Sequence, residues 1–254
     1  MKKIINTSVR TIQRLNERNV LLRLTAEEAL PVLEPGQFVE VQVNAPNVFL
    51  RRPISVHFYD AEKNELWLLV QMVGKATHEM AAMKEGDMLN VVLPLGSPFT
   101  LPTQPGQRLL LVGGGVGVAP LLYLGAKLKA SGHEVNFLLG GRTQGDLLQL
   151  EEFEKYGKVY ITTEDASYGE KGFVTQHSLL QEQSFDFIYT CGPTPMMQAV
   201  AKYAQEKKIE CEVSLENRMA CGVGACLCCV TDTKEGHKCV CTEGPVFNIK
   251  ELKW

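Results

Sequence analysis

Short runs of aliphatic and β-branched residues, separated by turn residues, dominate the first hundred positions. Val20-Leu21-Leu22-Arg23-Leu24, Phe38-Val39-Glu40-Val41-Gln42-Val43 and Leu66-Trp67-Leu68-Leu69-Val70-Gln71 predict strands. Pro35-Gly36 marks the turn before the second of these. Strands this short at this spacing predict a small closed barrel. Residues 94 to 107 then hold Pro94, Gly96, Pro98, Pro102, Pro105 and Gly106, a density of breakers that predicts a connection between domains.

Beyond Arg108 the pattern alternates between strands and helices. Leu109-Leu110-Leu111-Val112 is an apolar run of the kind buried on both faces of a parallel sheet. A helix is expected from Pro120 to Ala130. Val135 to Leu139, Val159 to Thr162 and Phe187 to Thr190 read as further strands. Thr194 to Lys208 reads as a second helix, with Met197, Val200, Ala201 and Ala204 at helical spacing. Strand, helix, strand in this order predicts right-handed βαβ units and a doubly wound sheet. The last forty or so residues hold most of the cysteines.

Composition narrows the class. At 254 residues the chain has room for two or three small domains, and 45% hydrophobic with 22% charged residues is ordinary for a globular protein. A net charge of −3 offers no broad basic field, so nucleic acid is not an expected partner. No apolar run reaches the length of a membrane span, so a membrane is not expected either. Met1-Lys2-Lys3-Ile4-Ile5-Asn6 turns polar too quickly for a secretory signal, which points to the cytoplasm. Eight cysteines in a reducing compartment favour metal or redox duty over disulfides.

Cys221-x4-Cys226-x2-Cys229 followed by Cys241 has the spacing of plant-type ligation of a 2Fe–2S cluster. The intervening Gly222, Val223, Gly224 and Ala225 are small enough for the backbone to curl round inorganic sulfur and aim N–H groups at it. Cys228 and Cys239 also lie here, so six thiols compete for four places. Cys226, Cys229, Cys239 and Cys241 offer a structural zinc site as the alternative, although Cys239-x-Cys241 is tighter than zinc pairs usually are. Cys228 and Cys239 are expected to face away.

Gly113-Gly114-Gly115-Val116-Gly117-Val118-Ala119-Pro120 lies between a predicted strand and its helix, where free N–H groups make an anion site. Pro120 stands where a Rossmann fingerprint has its third glycine. Cys191-Gly192-Pro193 ends a later strand, and the two tips can face one ligand; a proline-terminated strand leading into a helix explains the second equally well. Arg51-Arg52-Pro53-Ile54-Ser55-Val56 offers paired arginines for a phosphate, or simply a solvated charge pair. Gly74-Lys75-Ala76-Thr77 can present N–H groups and a hydroxyl to a pyrophosphate, or Thr77 can be the N-cap of a short helix over His78 to Met83.

Taken together the motifs resemble the ferredoxin–NAD(P)H reductase superfamily. Arg52-Pro53-Ile54-Ser55 is similar to its flavin motif, and Gly115-x-Gly117-x-x-Pro120 with Cys191-Gly192-Pro193 to its nicotinamide motifs. Glu216 to Cys226, with Cys241-Thr242-Glu243-Gly244-Pro245-Val246-Phe247, resembles one subfamily, the electron transfer subunits of NAD-dependent (type B) dihydroorotate dehydrogenase. Two positions depart from it: Ala76, where a second glycine is frequent, and Glu243, where aspartate is.

The resemblance implies a multi-domain β plus α/β fold. An N-terminal flavin-binding β-barrel would occupy 1–100, a doubly wound parallel NAD-binding sheet 101–210, and a C-terminal ferredoxin-like 2Fe–2S module 211–254. It implies FAD on Arg52 to Ser55, on Leu69, Val70 and Gln71, and on Gly74, Lys75, Ala76 and Thr77. NAD(H) would lie on Gly115, Gly117, Pro120, Cys191, Gly192 and Pro193, and the cluster on Cys221, Cys226, Cys229 and Cys241. The fourth ligand becomes Cys241 rather than Cys239 because it precedes the Gly-Pro-Val-Phe segment.

An FMN-containing catalytic partner is implied, in a heterotetramer of two plus two. Electrons would pass from its FMN through 2Fe–2S and FAD to NAD⁺ in pyrimidine biosynthesis. A diaphorase-type subunit of a sulfhydrogenase or of an NADH-dependent ferredoxin:NADP oxidoreductase is the alternative. Residues alone leave NADH against NADPH open, since Arg142 and Asp146 both follow the second strand of the sheet; the resemblance favours NAD.

Overall fold

Inward aliphatic side chains at every second position build the first half of the chain into a closed six-stranded barrel. The computed structural model describes residues 2–254. The strands are β1 (Lys3–Arg14), β2 (Asn19–Thr25), β3 (Phe38–Gln42), β4 (Arg52–Asp60), β5 (Glu65–Gln71) and β6 (Met88–Leu95). They close in the order β1-β2-β5-β4-β3-β6, every pair antiparallel. Val39, Val41, Val56, Leu66, Leu68, Val70, Val91 and Leu93 are buried in it, each worth about 1.5–3 kcal/mol of removed apolar surface.

Three of these strands add to the sequence reading. β1 mixes charged residues with Ile5, Thr7 and Val9, and buried Thr7 donates to Leu89 O at 3.0 Å. β4 begins on the arginine motif itself. β6 runs through Pro94 to Leu95, so the breaker-rich connection starts later than residue 94. The short helix α1 (Lys75–Ala81) also differs: its N-cap is Gly74, and Thr77 lies inside the first turn rather than ahead of it.

The second half forms a seven-stranded sheet from β7 (Arg108–Gly114), β8 (Glu134–Gly141), β9 (Lys158–Thr163), β10 (Glu170–Lys171), β11 (Phe187–Cys191) and β12 (Glu210–Ser214), with β15 (Val246–Asn248). Its order is β10-β9-β8-β7-β11-β12-β15, and the pairings from β10 through to β12 are parallel. Helices α2 (Ala119–Ala130), α3 (Leu150–Glu154), α4 (Leu179–Glu182) and α5 (Thr194–Lys207) connect them. The expected helices at 120–130 and 194–208 therefore stand within a residue. Order reverses between β7 and β11, because β7 leads to β8 on one side while β11 lies on the other.

Between β12 and β15 the chain forms a loop from Glu216 to Cys229 and a hairpin of β13 (Val230–Thr233) and β14 (Gly236–Cys239). Two compact units result. The residues up to Pro98, Glu216–Asp232 and Gly236–Val246 form one; Phe99–Leu215, Thr233–Glu235 and Phe247–Trp254 form the other. The cysteine loop thus belongs to the barrel's unit, while β12 and most of β15 belong to the sheet's. Among the described residues, no helix is long and apolar enough to cross a membrane.

Candidate functional site

Positive φ angles at Gly222 (65°), Gly224 (82°) and Leu227 (57°) curl the loop that carries three cysteines. The curl turns its amides onto sulfur. Cys221 Sγ accepts from Val223 N and from Cys226 N, each at 3.4 Å. Gly224 N donates to Cys241 Sγ at 3.1 Å, and Cys241 N donates to Cys229 Sγ at 3.4 Å. Among the described residues no three His, Cys, Asp or Glu side chains close around a single-ion site. The sulfurs instead act on one another in two pairs, Cys221 with Cys226 and Cys229 with Cys241.

Electrostatics follow from this placement. The Val223 N–H, helped by further donors, pulls the Cys221 thiol down to about 6. Burial pushes Cys241 up to about 12. Four thiols, three of them with amides aimed at them, fit a negatively charged iron–sulfur group, whose sulfurs are stabilised by such donors. Cys228 is exposed. Cys239 is half-exposed and not remote: burial raises its thiol first, then the charges of Cys229, Glu243, Cys221 and Cys226. Glu243 accepts from Cys239 N at 2.6 Å and so closes the turn leading into Cys241.

On the barrel, β3 and β4 pair in register, with Phe38 opposite Ser55, Glu40 opposite Pro53 and Val41 opposite Arg52. The two neighbouring arginines do different work. Arg51 Nη1 donates to Asn90 O at 3.0 Å and Glu40 O at 3.3 Å, and Nη2 to Asn90 Oδ1 at 2.5 Å and Gln42 Oε1 at 3.0 Å. It is a strut across β3 and β6. Arg52 uses only Nη1, on Leu50 O and Arg51 O at 2.6 and 3.1 Å. Its other donors fit a phosphate oxygen.

Leu69, Val70 and Gln71 end β5, paired with Leu21, Val20 and Asn19. The turn after them leaves open space above Gly74, and Lys75 Nζ reaches Pro46 O at 2.5 Å. The Thr77 hydroxyl is engaged: it accepts from Val73 N and Gly74 N at 3.0 and 3.1 Å and donates to Gly74 O at 2.9 Å. It shapes the turn, and what remains for a diphosphate here is open backbone beside Gly74, Lys75 and Ala76.

Glu40, which the sequence did not single out, is 1% exposed and neither carboxyl oxygen has a hydrogen-bond partner. Burial raises it to about 7, opposed by Arg51, reinforced by Cys221 and opposed again by Arg52. A Cβ on Gly222 would lie 2.7 Å from Glu40 Cγ, so the cysteine loop turns directly over this carboxyl.

In the sheet, β7 and β11 lie side by side with Gly113 level with Cys191. A Cβ on Gly117 would come within 2.7 Å of Cys191 O and Gly192 N, and one on Gly114 within 2.6 Å of Met196 Sδ. Pro120 sits in the first turn of α2. Both glycine motifs thus meet at the carboxyl ends of the strands flanking the order reversal, where doubly wound sheets bind nucleotides. Asp146 Oδ2 accepts from Arg142 N and Thr143 N, each at 3.2 Å, so this acid already closes the turn after β8.

Residues 216–253 match the model of the iron-sulfur cluster binding domain of dihydroorotate dehydrogenase B, and 111–202 that of an oxidoreductase NAD-binding domain. The chain is 41% identical over 238 residues to the electron transfer subunit of dihydroorotate dehydrogenase B (NAD(+)) of Shouchella clausii (strain KSM-K16), covering 91% of each. It is 44% identical over 228 residues to that of Bacillus cereus (strain B4264), covering 86% of each. A solved NADH-dependent reduced ferredoxin-NADP oxidoreductase superposes with a TM-score of 0.88 at 32% identity, over 98% of this chain and 90% of that one.

Proposed function

The chain belongs to the family of electron transfer subunits of dihydroorotate dehydrogenase B (NAD(+)), and from that premise we propose that it carries electrons from a catalytic partner to NAD⁺. Bound FAD supplies the exchange between hydride on the nicotinamide and single electrons on the cluster. The chain's own residues supply binding and field. Cys221, Cys226, Cys229 and Cys241 hold the 2Fe–2S cluster, and the amides of Val223, Gly224, Cys226 and Cys241 stabilise its negative sulfurs. Arg52 and the backbone at Gly74 to Ala76 would hold the FAD diphosphate; Pro53, Ile54 and Ser55, with Leu69, Val70 and Gln71, would contact the rest of the flavin, and Thr77 fixes the turn. Gly115, Gly117 and Pro120, with Cys191, Gly192 and Pro193, take NAD(H).

On this reading 1–100 carries FAD, 101–210 NAD(H) and 211–254 the cluster. The partner oxidises dihydroorotate on its FMN, the pair assembles as two plus two, and the complex works in the cytoplasm. The observation that carries the reading is the set of four backbone amides turned onto the sulfurs of Cys221, Cys229 and Cys241. Chain purified without oxygen is tested for FAD, two irons and a reduced-cluster electron spin signal. It should oxidise NADH with artificial acceptors, yet oxidise dihydroorotate only when the FMN partner is added. Dihydroorotate oxidation by the chain alone, or one zinc in place of iron, overturns it.

The superposition at 32% identity favours a second reading, a diaphorase subunit of a ferredoxin-linked NADP reductase. Co-purification with an FMN subunit rather than a ferredoxin-linked one separates the two.

A further inference from the structure

Of the barrel's two buried carboxyls, Glu65 pairs with Arg10 and Trp67, whereas Glu40 has no such partner. Glu40 lies on β3 opposite Pro53 of the Arg52-Pro53-Ile54-Ser55 motif. It is fully buried, and both oxygens lack a hydrogen-bond partner. A carboxyl in that state is costly and is kept only where something repays its desolvation. On its own strand pair it faces the charges of Arg51 and Arg52. From the cysteine loop it is covered by Gly222, whose missing side chain leaves the space Glu40 fills. Gly222 directly follows Cys221, so the part of the loop that carries the first cluster ligand lies against this carboxyl. Strand pair and loop belong to the same compact unit.

We propose that Glu40 is a positioning residue joining the flavin-binding strand pair to the cluster loop, its carboxyl setting the local field of both redox centres. The inference rests on the assignment of FAD and the cluster to this unit. Glu40 lies on the strand that pairs with the Arg52 motif and against Gly222, next to the first cluster ligand in the chain. Negative charge beside a centre disfavours adding an electron to it, so Glu40 holds the reduction potential of the cluster, and to a lesser degree of the flavin, below the value a neutral side chain would give. It touches no reacting atom. Its effect is transmitted through field and loop position.

The test is a redox titration of the full chain loaded with FAD and iron, in mildly alkaline buffer, followed by electron spin resonance for the cluster and absorbance for the flavin. Glu40→Gln keeps the shape and removes the charge. Its cluster midpoint should rise and its spin spectrum change shape, with FAD and iron contents at wild-type levels. Glu65→Gln alters a buried acid elsewhere in the barrel, paired with Arg10 and Trp67, and should leave both midpoints unmoved.

A loaded Glu40→Gln with unchanged midpoints and spectrum overturns the inference. Should that variant not hold iron, Glu40→Asp takes its place: a moved spectrum supports the inference and an unmoved one overturns it. If neither holds iron, retained FAD and unchanged melting support a role at the loop, whereas general unfolding refutes it. Wild-type chain lacking FAD or cluster sinks the assignment beneath the inference instead.

Discussion

Gly117 and Gly192 meet backbone against backbone: a Cβ on Gly117 would fall 2.7 Å from the Gly192 nitrogen, closer than real Cβ atoms come. Gly192 itself has φ 156°, in the region that favours glycine. The two motif tips can therefore approach one nucleotide only while both lack side chains. Gly117→Ala should displace the Cys191-Gly192 turn and raise the KM for NADH at least about tenfold. Overpacking of this kind costs about 1–3 kcal/mol of stability. FAD and iron content should stay at wild-type levels, since neither is assigned to this unit; flavin loss in the variant would contradict that assignment.

The paired sulfurs make a sharper forecast. Cys226→Ser should remove the reduced-cluster spin signal and transfer to the partner, while NADH oxidation by a two-electron dye persists because it needs only FAD. Cys228 is exposed and lies outside the proposed ligand set, so Cys228→Ser should keep two irons and full transfer. Iron counting on both variants checks this, and iron loss from Cys228→Ser would redraw the ligand set.

Arg51 and Arg52 should separate by type of damage. Arg51→Ala strips donors from Asn90 O, Asn90 Oδ1, Gln42 Oε1 and Glu40 O. A hydrogen bond to a charged group contributes about 1.5–3 kcal/mol, so melting should fall by several degrees. Arg52→Ala leaves two local carbonyls exposed and should change melting little, yet lower FAD occupancy. Equal FAD loss with equal destabilisation in both would return the pair to a single role.

That division marks where sequence reasoning stopped. Arg51 and Arg52 are neighbours of one type, and the acceptors that set Arg51 apart come from β3 and from Asn90 on β6, a strand the periodicity did not reveal. Pro94 hid β6, because a proline near a strand end reads as a breaker. The cysteine loop was legible because Cys221, Cys226 and Cys229 sit within nine residues, where spacing fixes reach. Glu40 was not legible: inside an alternating strand a lone glutamate reads as solvent-facing. Gly222, in the loop of Glu216 to Cys229 and far away in sequence, packs over it. The order reversal between β7 and β11 was implied by the βαβ pattern, whereas β12 and β15 joined the sheet from a stretch read as cysteine module.

His177 carries the expected response to acid. Its ring is buried, and Nδ1 accepts from Leu179 N at 3.0 Å, which requires the neutral imidazole. Burial lowers its pKa below the ordinary 6.5, only partly opposed by Glu170 and Glu182. The folded state therefore binds fewer protons here than the unfolded one. Its contribution is fully present above 6.5 and is lost as pH falls through the depressed folded value. Melting of the sheet's unit should thus drop as pH is lowered from neutral. His177→Asn keeps an acceptor two residues before Leu179 without a titrating ring, so it should flatten that drop while costing some packing against Tyr160, whose ring stands edge-on at 5.7 Å. Melting curves of both proteins across the range decide it, and an identical slope in the variant would assign the acid response to other groups.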